Sequence, residues 1–159
     1  MHDRVFRAEQ LIPRPRAEVF AFFCDPANLE RITPPWLRFR ILGRSSGEMR
    51  AGTELTYALR LRGLPLTWVS RISEWVPGER FCDEQIRGPY ALWRHTHRFE
   101  DRGDGTWMED HVVYRLPLAP WSHLLAGPLV AADIRRIFRY RRQVIDRLFA
   151  PAAAAEVRP

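Results

Sequence analysis

LWRHTHRFEDRGDGTWMEDHVVYRL, residues 92–116, predicts two antiparallel strands joined by a tight turn. On the first strand, positions 93, 95, 97 and 99 carry Trp, His, His and Phe, and on the second strand positions 108, 110, 112 and 114 carry Met, Asp, Val and Tyr. Alternate residues of a strand face the same side of a sheet, and Gly103-Asp104-Gly105 supplies the turn. We therefore expect each strand to present one face of mixed aromatic and polar side chains to the interior.

The same two-residue period continues in the residues before this hairpin. Turn residues at 63–65, 77–78 and 88–90 separate segments in which apolar and polar residues alternate. The predicted strands are 4–12, 36–42, 55–61, 66–72, 81–87 and the two strands within 92–116. About seven strands are enough for a strongly curved antiparallel sheet.

Helical segments flank this run of strands. A first helix is predicted for 16–23, and a second begins after the N-cap residue Asp25 and ends at 33–35. One or two helical turns are predicted for 121–126. A long helix is predicted from Pro128 to about Phe149. The expected fold class is α+β: a curved antiparallel sheet wrapped around a long C-terminal helix, with two short helices after the first strand.

Length and composition indicate one globular domain. The chain has 159 residues, of which 46% are hydrophobic, and we assign 1–150 to the domain and 151–159 to a flexible tail. No run of about 18 apolar residues predicts a membrane span. The N-terminus has no apolar segment typical of a secretory signal, so a cytoplasmic location is expected. Cys24 and Cys82 are expected to be reduced thiols.

The formal net charge is +6, and every basic side chain other than histidine is an arginine. Arginine-rich chains often bind nucleic acid. In this chain, however, the arginines are spread over the whole length and form no basic tail. We therefore expect no nucleic-acid partner.

The long helix contains one residue that breaks its apolar face. Val130, Ile134, Ile137, Phe138, Ile145 and Leu148 recur at helical spacing. Arg141 lies in the middle of this stripe, seven residues from both Ile134 and Leu148. A guanidinium facing the sheet requires a carboxylate or a ligand anion to offset its desolvation, unless the side chain extends along the surface to water.

The turns predict which polar side chains of the sheet meet. A hairpin at 88–90 places Asp83 opposite His95, and the turn at Gly103-Asp104 places Asp110 opposite His97. Directly opposed residues lie about 5 Å apart at Cβ, which allows a hydrogen bond between Asp and His. A register shift of one residue would reverse these faces.

These faces together predict a ligand pocket, because apolar walls with a few convergent polar groups are typical of one. The alternative is an internal hydrogen-bond network that holds no ligand. The predicted polar members are Asp83, Gln85, His95, His97, Asp110, Tyr114 and Arg141, and the predicted wall is Tyr57, Leu59, Trp68, Trp93, Phe99 and Met108.

Three chemical interpretations of this pocket are open. Metal binding is disfavoured because residues two apart on a strand are separated by about 7 Å, and no cofactor is expected. Alternatively, His95 oriented by Asp83 acts as a general base, with Tyr114 or Arg141 polarising a carbonyl group. In the third interpretation these groups only recognise the polar head of an apolar ligand.

Several segments resemble a known family: EVFAFF (18–23), NLERITPPW (28–36), FCDEQ (81–85) with GPY (88–90), WRHTHRF (93–99) and FRYR (138–141). They are similar to the bacterial ligand-binding branch of the SRPBCC, or START-like, superfamily, over about residues 3–149. That superfamily includes lipid carriers, pollen-allergen-like binders and polyketide cyclases or dehydratases. The resemblance implies the helix-grip fold and an internal cavity, but it identifies no catalytic residue.

Three functions follow as hypotheses. The first is binding or carriage of an apolar small molecule with a polar or anionic head, by a monomer or homodimer. The second is a metal-free cyclase or dehydratase that acts on a polyketide-like substrate through His95 and Asp83. The third is an interaction module for anionic lipid or RNA, formed by the helix face that carries Arg135, Arg136, Arg139 and Arg142.

Overall fold

The computed structural model describes residues 3–118 and 124–150. The helices and strands of that part are β1 (Arg4–Ile12), α1 (Arg16–Cys24), α2 (Pro26–Ile32), a 3-10 turn (Pro35–Leu37), β2 (Arg40–Arg44), β3 (Glu54–Leu61), β4 (Leu64–Val76), β5 (Arg80–Arg87), β6 (Leu92–Arg102), β7 (Gly105–Arg115) and α3 (Gly127–Leu148). The strands form one seven-stranded antiparallel sheet in the order β1-β7-β6-β5-β4-β3-β2. The sheet is curved and α3 is the long C-terminal helix, so the predicted α+β helix-grip fold is confirmed.

The register of the central strands agrees with the prediction from the turns. Asp83 of β5 pairs with His95 of β6, and His97 of β6 pairs with Asp110 of β7. On β7 every second residue, beginning with Thr106, is buried. This alternation follows from the pleat, which directs successive side chains to opposite faces, and it places Asp110 on the inner face.

The strand predicted for 36–42 is present, but its predicted start is wrong. Pro35 begins a 3-10 turn that includes Trp36, Arg38 has a positive φ of 44°, and β2 starts only at Arg40. Proline lacks the N–H that a strand ladder needs, but its fixed φ suits the first residue of a helical turn. The turn holds Trp36 against α3, where the Arg136 guanidinium lies 4.3 Å from the centroid of the Trp36 ring.

The two short helices form where they were predicted. Oδ1 of Asp25 accepts a hydrogen bond of 3.0 Å from the amide of Ala27, which confirms the predicted cap of α2. In α1, Val19 and Phe20 are buried in the core, where Phe20 packs edge-on against Phe99 of β6. The side of α1 opposite Val19 and Phe20 can therefore contact other parts of the structure.

Helix α3 buries the middle of the predicted stripe together with its arginine, while Val130 and Ile137 are half-buried. Ile134, Phe138, Arg141 and Ile145 are buried, and Arg141 is only 8% exposed. Leu148 was predicted in the stripe but is 38% exposed. The helix ends at Leu148, and the next residue, Phe149, packs into the core instead, with its ring centroid 5.0 Å from that of Phe22.

The opposite face of α3 is exposed, as predicted, at Arg135, Arg136, Arg139 and Arg142. Two of these arginines already have contacts within the chain: Arg136 lies over the Trp36 ring, and Nη1 of Arg142 donates to the carbonyl of Glu9 at 3.3 Å. These two contacts attach α3 to the 3-10 turn and to β1.

Other predictions concern the ends and the surface of the domain. Cys24 and Cys82 are free thiols, as predicted. Of the helical turns predicted for 121–126, Leu124 and Leu125 are helical, and 121–123 lie outside the described residues. The predicted tail, 151–159, lies wholly outside them. Among the helices of 3–118 and 124–150, none has the length and apolar content needed to cross a bilayer.

The end of α3 offers a paired test of the packing. Ile145→Ala should destabilise the protein by about 2–5 kcal/mol, because it leaves a cavity in the core at a residue that is 1% exposed. Leu148→Ala, one turn later on the same helix, should cost less than about 1 kcal/mol. Urea unfolding followed by circular dichroism measures both, and equal losses would contradict the observed rotation of the helix.

Candidate functional site

A cavity of about 420 Å³ lies between the inner face of the sheet and α3. Its walls are mostly apolar and come from α1, α2, β3 to β6 and α3. The predicted site residues in its lining are Tyr57, Leu59, Trp68, Asp83, Trp93, His95, His97 and Arg141. A cavity of this size lies within the range found for small-molecule sites.

The polar end of the cavity is built around Asp110. Its Oδ1 atom lies 2.9 Å from Nε2 of His95 and 2.9 Å from Nδ1 of His97. Both imidazoles belong to β6, and Asp110 belongs to the neighbouring strand β7, so the sheet register sets these contacts. One carboxylate oxygen therefore orients two imidazole rings.

Asp83 approaches the same imidazoles from the other side. Its Oδ2 atom lies 3.5 Å from Nδ1 of His95 and 3.4 Å from Nε2 of His97. These distances are longer than those to Asp110 and exceed the usual length of a charge-assisted hydrogen bond. Asp83 was predicted to orient His95, but the closer partner of His95 is Asp110.

The two imidazoles lie much closer together than strand geometry alone suggests. Their ring centroids are 3.9 Å apart, and the Phe81 ring stacks on His97 at 4.3 Å. The two side chains lean toward each other because Asp110 holds them both. The separation of about 7 Å, on which the argument against a metal depended, is therefore wrong for the ring nitrogens.

Arg141 completes this cluster from α3. Its Nη2 atom lies 3.5 Å from both Oδ1 of Asp110 and Nδ1 of His97, and its guanidinium lies 5.2 Å from the ring centroid of Phe23. In the described part of the chain, Nε of Arg141 and Nε1 of Trp68 are buried without a hydrogen-bond partner. Both side chains line the cavity, and buried unsatisfied donors are costly.

The electrostatics keep both carboxyl groups ionised. Burial raises the pKa of Asp110, but the Arg141 guanidinium and hydrogen bonds from both histidines lower this pKa well below its usual range. Burial likewise raises the pKa of Asp83, but contacts with His97 and His95 lower it overall. Two anionic groups and one cationic group therefore lie next to the cavity.

The two histidines differ in their electrostatics. Burial and the neighbouring His97 lower the pKa of His95. For His97, burial also lowers the pKa, but the contacts with the Asp110 and Asp83 carboxylates raise it overall. Of the two imidazoles, His97 therefore holds a proton more readily.

The remaining predicted site residues lie outside the cavity lining. Gln85 braces the β5–β6 loop, because its Nε2 atom donates to the Tyr90 carbonyl at 2.7 Å. Phe99 and Met108 are buried in the core, and Tyr114 packs beside α3. Asp110 contacts both histidines but does not line the cavity itself. Asp110 and Arg141 also line an open recess between β1, β7 and α3, on the other side of the cluster.

The short helices contribute lining residues that the sequence did not predict. These are Phe22, Phe23 and Cys24 of α1 together with Leu29 and Ile32 of α2. The available signal was the apolar character of α1 on more than one face, since Phe22 and Phe23 follow Val19 and Phe20. A helix with two apolar faces indicates that both faces have contacts.

One ion pair links two elements that border the cavity. Arg62, beside the β3–β4 turn, donates from Nε to Oδ2 of Asp133 at 2.8 Å and from Nη2 to Oδ1 at 3.0 Å. Both residues line the cavity, and Asp133 belongs to α3. This bidentate pair therefore ties the turn to the helix.

The family of the chain is shown by comparison with known proteins. Residues 12–139 match the family model described as polyketide cyclase/dehydrase and lipid transport. The chain therefore belongs to this family, whose members bind ligands or have cyclase/dehydrase-type functions, and the predicted SRPBCC relationship is confirmed. No curated protein sequence matches the chain significantly.

Solved structures share the fold over most of this chain. Protein CV1439 from Chromobacterium violaceum has a TM-score of 0.71 and 16% identity, covering 93% of this chain and 98% of that one. Ara h 8.0201 has a TM-score of 0.66 and 14% identity, with coverages of 93% and 98%. The di-domain ARO/CYC BexL from the BE-7585A biosynthetic pathway has a TM-score of 0.72 and 17% identity, covering 95% of this chain and 51% of that one. At these identities the likeness shows the fold alone.

Cys24 in the cavity wall provides a chemical probe. Burial raises the pKa of its thiol from 9.0 to about 12. Because the native state favours the neutral thiol, the resulting stabilisation is present below pH 9.0 and is lost as the pH rises toward 12. At pH 8, alkylation of native Cys24 by iodoacetamide should be at least ~10-fold slower than in urea.

Peptide-resolved mass spectrometry measures this alkylation and separates Cys24 from Cys82. A thiol introduced by Ala132→Cys, on the exposed face of α3, is the matched control and should react rapidly. If native Cys24 reacts as fast as this control, its assigned burial is wrong.

Proposed function

We propose that this protein binds an apolar small molecule with an anionic or carbonyl-bearing head inside the cavity. The apolar walls would hold the body of the ligand, and Arg141 would hold its head, with the histidines beside it. The main observation in support is that Nε of Arg141 and Nε1 of Trp68 are buried donors without hydrogen-bond partners in the described residues. A ligand oxygen would satisfy such donors, and this is how a few polar groups orient a ligand in an apolar pocket.

Arg141 is the group at the polar end that can hold an anionic or polarised head. Asp83 and Asp110 carry negative charge, and Arg141 shares its guanidinium between Asp110 and the cavity. Asp110 contacts the guanidinium only through Nη2, and Nε has no partner among the described residues, so Nε is left for another acceptor. The expected cytoplasmic location and the monomeric or homodimeric state remain predictions.

Medium-chain fatty acids and the matching fatty alcohols are suitable probes, because they differ only in the head. Binding should quench tryptophan fluorescence, since Trp68 and Trp93 line the cavity. Arg141→Gln should weaken fatty-acid binding by about 10- to 100-fold, the range expected for a lost hydrogen bond to a charged group. Its effect on the alcohol should be smaller.

The exposed Arg139→Gln on the same helix is the control and should leave both affinities unchanged. The ratio of acid to alcohol affinity within each variant corrects for any loss of folded protein. An unchanged ratio in Arg141→Gln, or no binding of acyl, polyketide or isoprenoid probes to the unaltered protein, would refute the proposal.

A second candidate function is cyclase- or dehydratase-type catalysis, favoured by one feature of the geometry. His95 and Asp83 both face the cavity, and Asp110 holds Nε2 of His95, which leaves Nδ1 directed toward Asp83. An oriented imidazole beside a bound carbonyl compound can act as a general base.

His95→Gln distinguishes catalysis from simple binding. If His95 is a catalytic base, this variant should lose at least ~100-fold in turnover of a poly-β-ketone substrate while ligand affinity changes less than about threefold. Turnover is measured by chromatography and affinity by fluorescence. Loss of affinity and turnover in equal proportion would support binding without catalysis.

A further inference from the structure

The ring nitrogens of the two histidines are divided between two carboxylates. Nε2 of His95 and Nδ1 of His97 lie 2.9 Å from Asp110, so these nitrogens carry the hydrogens that Asp110 accepts. The other nitrogen of each neutral ring, Nδ1 of His95 and Nε2 of His97, then carries a lone pair. Both of these nitrogens face Oδ2 of Asp83.

Three electron-pair donors therefore converge on one small space. The candidate donor atoms of Asp83, His95 and His97 all lie within 4.8 Å of one another. Two of the separations are 3.5 Å and 3.4 Å, and ligand atoms around tetrahedral Zn²⁺, with bonds of 2.0–2.1 Å, lie about 3.3 Å apart. The observed separations are long for hydrogen bonds but close to those of ligands that share a metal.

We propose that Asp83, His95 and His97 form a binding site for a divalent transition-metal ion of the zinc class. Two imidazole nitrogens and one carboxylate oxygen suit such ions and leave coordination positions open. The three residues line the cavity, so an open position would face its interior. This inference departs from the expectation of no metal. That expectation rested on a separation of about 7 Å between the histidines, and the observed position of the rings removes this argument.

Asp110 would be the positioning residue of this site. In metal sites, the second ring nitrogen of a ligating histidine usually donates to a carboxylate, which fixes the tautomer and the orientation of the ring. Here one oxygen of Asp110 does this for both rings. A structural hydrogen-bond network needs no such division, in which one carboxylate holds both imidazoles and leaves their other nitrogens directed at a second carboxylate.

The charges are compatible with a cation at this position. Asp83 and Asp110 contribute two negative charges, and Arg141, 3.5 Å from Asp110, contributes one positive charge. A divalent ion would give the cluster a net positive charge, which would favour the anionic head of a cavity ligand. The proposed metal site does not require that ligand, so the metal proposal and the ligand proposal can be tested separately.

The test uses the full-length protein, treated with a chelator and then titrated with Zn²⁺ and Co²⁺. We expect one equivalent of Zn²⁺ to bind with a Kd in the micromolar range or tighter by calorimetry, and to raise the thermal unfolding temperature. Co²⁺ should develop the visible absorption bands of a protein-bound ion. Asp83→Asn, His95→Gln and His97→Gln should each lose at least ~100-fold in affinity, and Asp110→Asn about 10- to 100-fold.

Matched controls lie on the outer face of the same sheet. Glu84 is next to Asp83 on β5, and its side chain pairs with Arg94. His111 is next to Asp110 on β7. The control variants are therefore Glu84→Gln and His111→Gln. Both controls should bind Zn²⁺ as the unaltered protein does. Because a buried variant can fail to fold, the titrations of the unaltered protein with Zn²⁺ and Co²⁺ are independent tests.

The proposal is overturned if the unaltered protein binds less than one equivalent of Zn²⁺ at micromolar concentrations, or if its Co²⁺ spectrum remains that of the aqueous ion. It is also overturned if folded His97→Gln retains full affinity, or if the two outer-face controls lose it. Failure of fatty-acid binding alone would affect the proposed function and leave the metal site standing.

Discussion

The burial of Asp110 on the inner face of β7 is the constraint on which the cavity depends. A buried carboxylate is tolerated only when charge and hydrogen bonds compensate for its lost hydration, and three side chains do so here. His95 and His97 lie 2.9 Å from Oδ1 of Asp110, and Arg141 of α3 lies 3.5 Å from it. This cluster fixes the rotation of α3 against the sheet, because Arg141 must face inward. The cavity is therefore bounded at one end by polar groups that the fold itself requires.

Most of the fold could be predicted because turns and periodicity are local properties of the sequence. The glycine turn at 103–105 determined that His97 faces Asp110, and the helical spacing placed Arg141 with Ile134 and Ile145. The start of the strand predicted for 36–42 could not be assigned correctly, since whether the proline pair only ends α2 or also starts a further turn depends on what the next residues contact. Trp36 contacts α3, which is more than 90 residues away in the sequence.

The candidate site was only partly predictable, for a similar reason. Residues on one strand face could be grouped from the sequence, but the direction in which each side chain leans could not. The two imidazoles, for instance, approach to 3.9 Å because they share one acceptor. Gln85 has the inward parity, yet it bonds to the Tyr90 carbonyl because the loop after β5 leaves that backbone group within its reach. The contributions of α1 and α2 depend on how those helices close the sheet, and no local pattern encodes that.

The recess between β1, β7 and α3 gives the polar cluster two sides. Asp110 and Arg141 belong to the lining of this recess, and Arg141 also belongs to the lining of the main cavity. A molecule that fills the main cavity would cover His95 and His97 from the front, while the rear of Asp110 and Arg141 still borders the recess. Water entering from behind could then hydrate the buried charges without displacing that molecule. Occupancy of the cavity and solvation of its charged wall are, in this architecture, separable.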